Sequence, residues 1–121
     1  MSTKTIILVE DDKQAMEMYE LLFEIAGFLI VGKCNNGEEA IELIKEKKAK
    51  VVLLDIGLKG KLTGLDVLRE VNDLLKECRV IVVSGYPEHE EASKNLGAFG
   101  FIKKPVRTEL MMKEFKRAAL E

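Results

Sequence analysis

Acids, a hydroxyl and a lysine close four apolar runs of this chain. Glu10-Asp11-Asp12 follow Ile6-Ile7-Leu8-Val9, and Asp55 ends Val51-Val52-Leu53-Leu54. Ser84-Gly85 follow Val80-Ile81-Val82-Val83, and Lys103-Lys104-Pro105 follow Phe99-Gly100-Phe101-Ile102. Such residues, brought together, handle a divalent metal and a phosphoryl group. Two like charges about 4 Å apart repel by roughly 4 kcal/mol at an effective dielectric of about 20. Glu10, Asp11 and Asp55 at neighbouring strand ends are therefore costly without a cation. Oxygen-only ligands select a hard ion, and Mg²⁺ takes a carboxylate or two plus waters and phosphate oxygens. Asp11 and Asp12 also suit a simpler task, capping the helix that follows.

Asp55 is the candidate nucleophile, since a carboxylate can accept a phosphoryl group as an aspartyl-phosphate. The segment after it, Ile56 to Gly64, carries three glycines and can bring backbone close to a metal or phosphate. The Ser84 hydroxyl can bond a phosphoryl oxygen, with Gly85 allowing close approach. Lys104 precedes Pro105, and a cis X-Pro bond in a tight turn would aim the lysine across the sheet edge. A lysine there neutralises a transferred phosphoryl group. Strand alternation points Lys103 the other way.

The elements that position these residues alternate in type. Strands are expected at about 5–10, 28–34, 51–55, 79–84 and 99–103, as unbroken apolar runs typical of parallel strands buried on both faces. A first helix follows Asp11-Asp12, repeats Ala15, Tyr19, Leu22, Phe23 and Ala26 at helical spacing, and ends at Gly27. Asn35-Asn36-Gly37 separates the second strand from a helix carrying Ala40, Ile41 and Ile44. A third helix is expected from about Leu65 through Leu75, a short polar fourth over about Glu88 to Leu96, and a last from about Thr108. The expected fold is α/β, doubly wound, with five parallel strands and helices on both faces. Crossovers should be right-handed, and ligands bind at the carboxyl ends of the strands.

Composition narrows the function further. The chain has 121 residues, room for one domain with a core. A net charge of −2 does not favour nucleic acid. No apolar stretch is long enough to span a bilayer. Met1 to Thr5 leads directly into a strand and does not read as a signal peptide, so a cytoplasmic location is expected. Cys34 and Cys78 stand far apart and read as free thiols. The single histidine, His89, argues against a zinc site and against triad catalysis, and is read as a surface residue of the fourth helix.

Five pieces in order, ILVEDD (7–12), VVLLD (51–55), GLDVL (64–68), VVSGY (82–86) and GAFGFIKKPV (97–106), resemble the receiver domain of two-component response regulators, the CheY-like superfamily. The resemblance covers essentially the whole chain. It implies a flavodoxin-like (βα)5 fold with strand order 2-1-3-4-5, and a single receiver over 1–121 without an output domain. It implies Asp55 as the phosphorylated residue, with Mg²⁺ (or Mn²⁺) held by Asp11, Asp55, the Gly57 carbonyl and, through water, Glu10. Ser84, Gly85 and Lys104 would bind the phosphoryl group. Ser84 and Phe101 would form the switch, Phe101 turning inward and reshaping the face of helix 4, strand 5 and helix 5. Asp12 is expected as a helix cap.

Three departures stand out. Lys59 replaces the usual proline, the loop between Asp55 and Gly64 holds one extra residue, and Phe101 replaces the commoner tyrosine. Gly57 and Tyr86 occupy the positions that help set phosphoryl lifetime in the family, and a phosphoform outlasting seconds is expected. The implied partners are a histidine kinase or phosphotransfer protein and a downstream protein effector, with no direct nucleic acid or membrane insertion. The chain is expected as a monomer or a phosphorylation-linked dimer. It is not expected to be a turnover enzyme beyond its own phosphorylation and dephosphorylation. One rival is a receiver-like scaffold working without phosphorylation. The other is a haloacid-dehalogenase-type phosphatase, which needs an acid where Gly57 stands.

Overall fold

The structure, a computed structural model, describes residues 4–120, so Met1 to Thr3 of the lead-in and Glu121 lie outside the described residues. Five parallel strands form one sheet in the order β2-β1-β3-β4-β5. They are β1 (Thr5–Val9), β2 (Leu29–Cys34), β3 (Val51–Asp55), β4 (Arg79–Ser84) and β5 (Gly100–Lys103). Between and after them run α1 (Lys13–Ile25), α2 (Gly37–Lys47), α3 (Gly64–Glu70), α4 (Glu88–Asn95) and α5 (Thr108–Ala119). This is the doubly wound α/β architecture with order 2-1-3-4-5 expected above. No helix among the described residues is long and apolar enough to cross a membrane.

Strand alternation divides the apolar runs between two cores. Ile7, Val9, Val52, Leu54, Val80 and Val82 meet Ala40 and Ile44 of α2 and Val67 and Leu68 of α3. Ile6, Leu8, Val51, Leu53, Ile81 and Val83 meet Tyr19 and Phe23 of α1 and Met111 and Phe115 of α5. Phe23 anchors the second core with edge-on rings at 5.2 Å to Phe28 and 4.9 Å to Phe115. Both faces of the central strands are thus dry, which explains why they read as continuous apolar runs.

Helix starts follow their caps. The Asp12 side chain accepts from the Ala15 N–H at 2.9 Å, and Asn36 accepts from the Glu39 N–H at 2.8 Å. α3 opens with a reciprocal box between Thr63 and Asp66. The third helix is shorter than expected. It stops at Glu70, and Asn72–Leu74 form a 3-10 turn instead. Asn72 and Asp73 are poor helix-interior residues whose side chains compete for backbone bonds, and the chain must turn there to enter β4. The fourth helix ends before Gly97, whose φ of +100° suits glycine.

Candidate functional site

The strand order reverses direction between β1 and β3, and the crevice outside their carboxyl ends holds the acids. Glu10 and Asp11 follow β1, and Asp55 is the last residue of β3. One carboxylate oxygen of each lies within 4.8 Å of the others. Together with Gly57, Ser84, Gly85, Tyr86 and Lys104 they line a cavity of about 450 Å³. Every residue expected at the acid cluster or around the phosphoryl group therefore borders one opening. Phe101 does not; it is half-buried on β5 and packs toward the α2–α3 core.

Asp55 is only 4% exposed, yet both its oxygens are engaged. Oδ1 accepts the Gly57 N–H at 3.0 Å, and Oδ2 lies 3.4 Å from Lys104 Nζ. The Lys104–Pro105 peptide is cis, and the Lys104 N–H donates to the Ser84 carbonyl at 2.8 Å. Lys103 is exposed, as alternation predicts. The loop after β3 is held against the acids: the Lys59 N–H donates to Asp11 Oδ2 at 3.0 Å. Gly64 closes the loop where space is tightest, since a Cβ there would sit 2.7 Å from Ile56 Cα.

Glu10 is the most buried member of the cluster. It is 2% exposed, and Oε2 accepts the Asp12 N–H at 3.1 Å. Its other oxygen, Oε1, is buried with no hydrogen-bond partner among the described residues. Burial first, and then the carboxyl of Asp55 beside it, push Glu10 up to about 7. A buried, unpartnered oxygen beside two further carboxylates forms a group that could hold a cation. All its donors are oxygen, which fits a hard divalent ion of the Mg²⁺ or Mn²⁺ kind.

Asp12 borders the same cavity and caps α1 through its side chain. Cys34 and Cys78 are free and buried, and burial pushes both thiols up to about 11, which removes them from the chemistry. His89 departs from its reading as a surface residue. It is half-buried, and its Nδ1 lies 2.7 Å from Ser84 Oγ. Sequence reasoning missed it because the contact depends on how the Gly85-Tyr86-Pro87 turn folds α4 back over the end of β4. The Lys59 backbone bond was equally hidden, since a main-chain donor leaves no mark in residue type.

Comparison with known proteins agrees with this geometry. The sequence model described as response regulator receiver domain matches residues 6–116. A cyclic di-GMP phosphodiesterase of Thermotoga maritima is 35% identical over 109 residues, covering 88% of this chain and 28% of that protein. A receiver domain protein (CheY-like) of Methanospirillum hungatei JF-1 superposes with a TM-score of 0.88 at 26% identity, covering 98% of this chain and 94% of that one. A CheX-CheY-BeF3-Mg²⁺ complex of Borrelia burgdorferi gives a TM-score of 0.86 at 25% identity, covering 97% of this chain and 90% of that one. The chain spans about half the length of several curated relatives it matches. The bond from the Lys59 N–H to Asp11 is one that proline, the residue the resemblance leads one to expect there, has no N–H to make. The acid cluster lies at the switch point of a 2-1-3-4-5 sheet, and the family match runs through all five strands: the chain belongs to the response regulator receiver domain family.

Proposed function

We propose that the chain is a single receiver unit that takes a phosphoryl group onto Asp55 and signals by protein contact, working in the cytoplasm. The observation that carries this reading is the convergence of Glu10, Asp11, Asp55 and Lys104 on one cavity, with Asp55 at its floor. The donor is a phosphohistidine of a histidine kinase or phosphotransfer protein. An Asp55 oxygen forms a bond to phosphorus as the bond from phosphorus to the donor nitrogen breaks, and the electron pair returns to the donor imidazole. Glu10, Asp11, Asp55 and the Gly57 carbonyl would hold a divalent cation, Mg²⁺ or Mn²⁺. Such an ion, when bound, offsets negative charge on the phosphoryl oxygens.

The chain's own residues supply positioning and electrostatics. The Gly57 N–H orients the Asp55 carboxylate through Oδ1. Lys104 lies beside Oδ2 and exchanges that contact for the arriving phosphoryl oxygens. Ser84 and Gly85 border the same cavity and receive the new group. Movement of Ser84 opens room for Phe101 to turn inward, which changes the face made by α4, β5 and α5. On that face, Phe101, Pro105 and Leu110 line a second hollow. The chemistry is stoichiometric self-phosphorylation and self-dephosphorylation. Gly57 brings no side chain to orient an attacking water, and Tyr86 stands at the rim, so the phosphoform outlasts seconds.

The test is labelling with a small phosphodonor. The expected label is stable to acid, labile to hydroxylamine and lost in Asp55→Asn. Labelling that persists in Asp55→Asn contradicts the assignment.

A further inference from the structure

Ser84 is 2% exposed, and it borders the same cavity as Asp55. A hydroxyl has one proton to give and two lone pairs to accept with. One lone pair takes the Tyr86 N–H at 3.1 Å. The hydroxyl's other hydrogen-bond contact among the described residues is His89 Nδ1 at 2.7 Å. A buried donor is nearly always satisfied. With its proton on Nε2, the His89 imidazole accepts from the Ser84 hydroxyl. Its ring makes an edge-on contact with Tyr86, centroids 5.4 Å apart, and the His89 backbone N–H donates to the Tyr86 carbonyl at 3.1 Å. Neither partner of Ser84 Oγ belongs to the acid cluster.

We infer that His89 is a latch on the Ser84 hydroxyl, a positioning residue that holds the free state by occupying the one proton Ser84 must give to a phosphoryl oxygen. This rests on the reading of Asp55 as phosphoacceptor and deepens it. Ser84 cannot donate to His89 and to the phosphoryl group at once. Phosphorylation must break the Ser84–His89 bond, and the strength of that bond sets how far the equilibrium leans to the free form. The latch also ties the site to α4, because His89 is the residue of that helix bonded to the end of β4. Release of Ser84 leaves the Nδ1 lone pair without its partner, so α4 senses the phosphoryl group through the imidazole as well as through Phe101.

The experiment is a titration of beryllofluoride, a phosphoryl mimic, in the presence of Mg²⁺. It compares the wild-type chain with His89→Ala and His89→Asn. Asparagine places an amide oxygen where Nδ1 stands and so restores the acceptor. Removing one hydrogen bond that competes with the bound form should tighten beryllofluoride binding about three- to tenfold in His89→Ala, with His89→Asn returning close to wild type. Because the chain has a single histidine, its imidazole nitrogen resonances give a second readout in the unmutated protein. The Nδ1 signal should move on saturation with beryllofluoride. Equal tightening in both variants, unchanged affinity in His89→Ala, or an unmoved Nδ1 signal in the saturated wild type overturns the latch alone. Failure of beryllofluoride to bind any of the three chains overturns the Asp55 reading and the latch with it.

Discussion

Glu10 carries the clearest cost at the scale of single residues. Its carboxyl is held up at about 7 against an ordinary 4.5, chiefly by burial and then by Asp55. The folded chain therefore holds more protons than the unfolded chain between those values. Its stability contribution is complete below pH 4.5 and is lost as pH rises toward about 7. A divalent cation favours the ionised cluster and opposes that loss. The metal-free chain should melt lower at about pH 8 than at about pH 5, and Mg²⁺ should raise the melting temperature more at the higher pH. Glu10→Gln should flatten both dependences. Calorimetry at the two values, with Mg²⁺ and with chelator, checks this. A Mg²⁺ effect independent of pH would count against Glu10 as the titrating member. At this scale the sequence was informative about type and order: the acids, Asp55, Ser84 and Lys104 all ended apolar runs. It misplaced His89 on the surface, because its partner lies five positions back through a turn that residue types do not define.

The loop that leaves β3 and enters α3 shows what individual elements contribute. Two devices hold it, and they differ in kind. The Thr63–Asp66 box satisfies N–H groups at the start of α3. Gly64 allows the chain to pass 2.7 Å from where a side chain would otherwise stand against Ile56. Thr63→Ala should cost about 0.5–2 kcal/mol as a lost cap. Gly64→Ala should cost about 1–3 kcal/mol as overpacking against backbone that cannot yield, and should also displace the Asp55 segment. Urea unfolding measures both. A lower beryllofluoride affinity in Gly64→Ala, with Thr63→Ala near wild type, would separate the positioning effect from simple destabilisation. Strands β3 and β4 were legible to the residue because burial on both faces leaves no polar interruption. The third helix was overextended from sequence, since Val71 and Leu75 continue its apolar spacing while Asn72 and Asp73 break it. Spacing alone did not weigh that conflict.

Across the whole molecule, the sheet separates two cores that share only its strands. Leu53 belongs to the α1–α5 core and its neighbour Leu54 to the α2–α3 core. Leu53→Ala or Leu54→Ala should each cost about 2–5 kcal/mol, because either leaves a cavity in a fully dry interior. Their effects should add closely only if the sheet insulates the two cores, which a double variant in urea reports. The carboxyl edge of that same sheet gathers Glu10, Asp11, Asp55, Ser84 and Lys104, so the architecture that makes the cores also makes the site. This is why the family resemblance carried the fold and the location of the site, while the bonds of Lys59 and His89 needed the structure.

The most direct measurement is the intact mass of the chain after incubation with acetyl phosphate, with Mg²⁺ or with chelator, beside Asp55→Asn. A single added phosphoryl group that requires both the metal and Asp55 is the predicted result. A mass unchanged with Mg²⁺ present, or an adduct that survives in Asp55→Asn, would contradict the account.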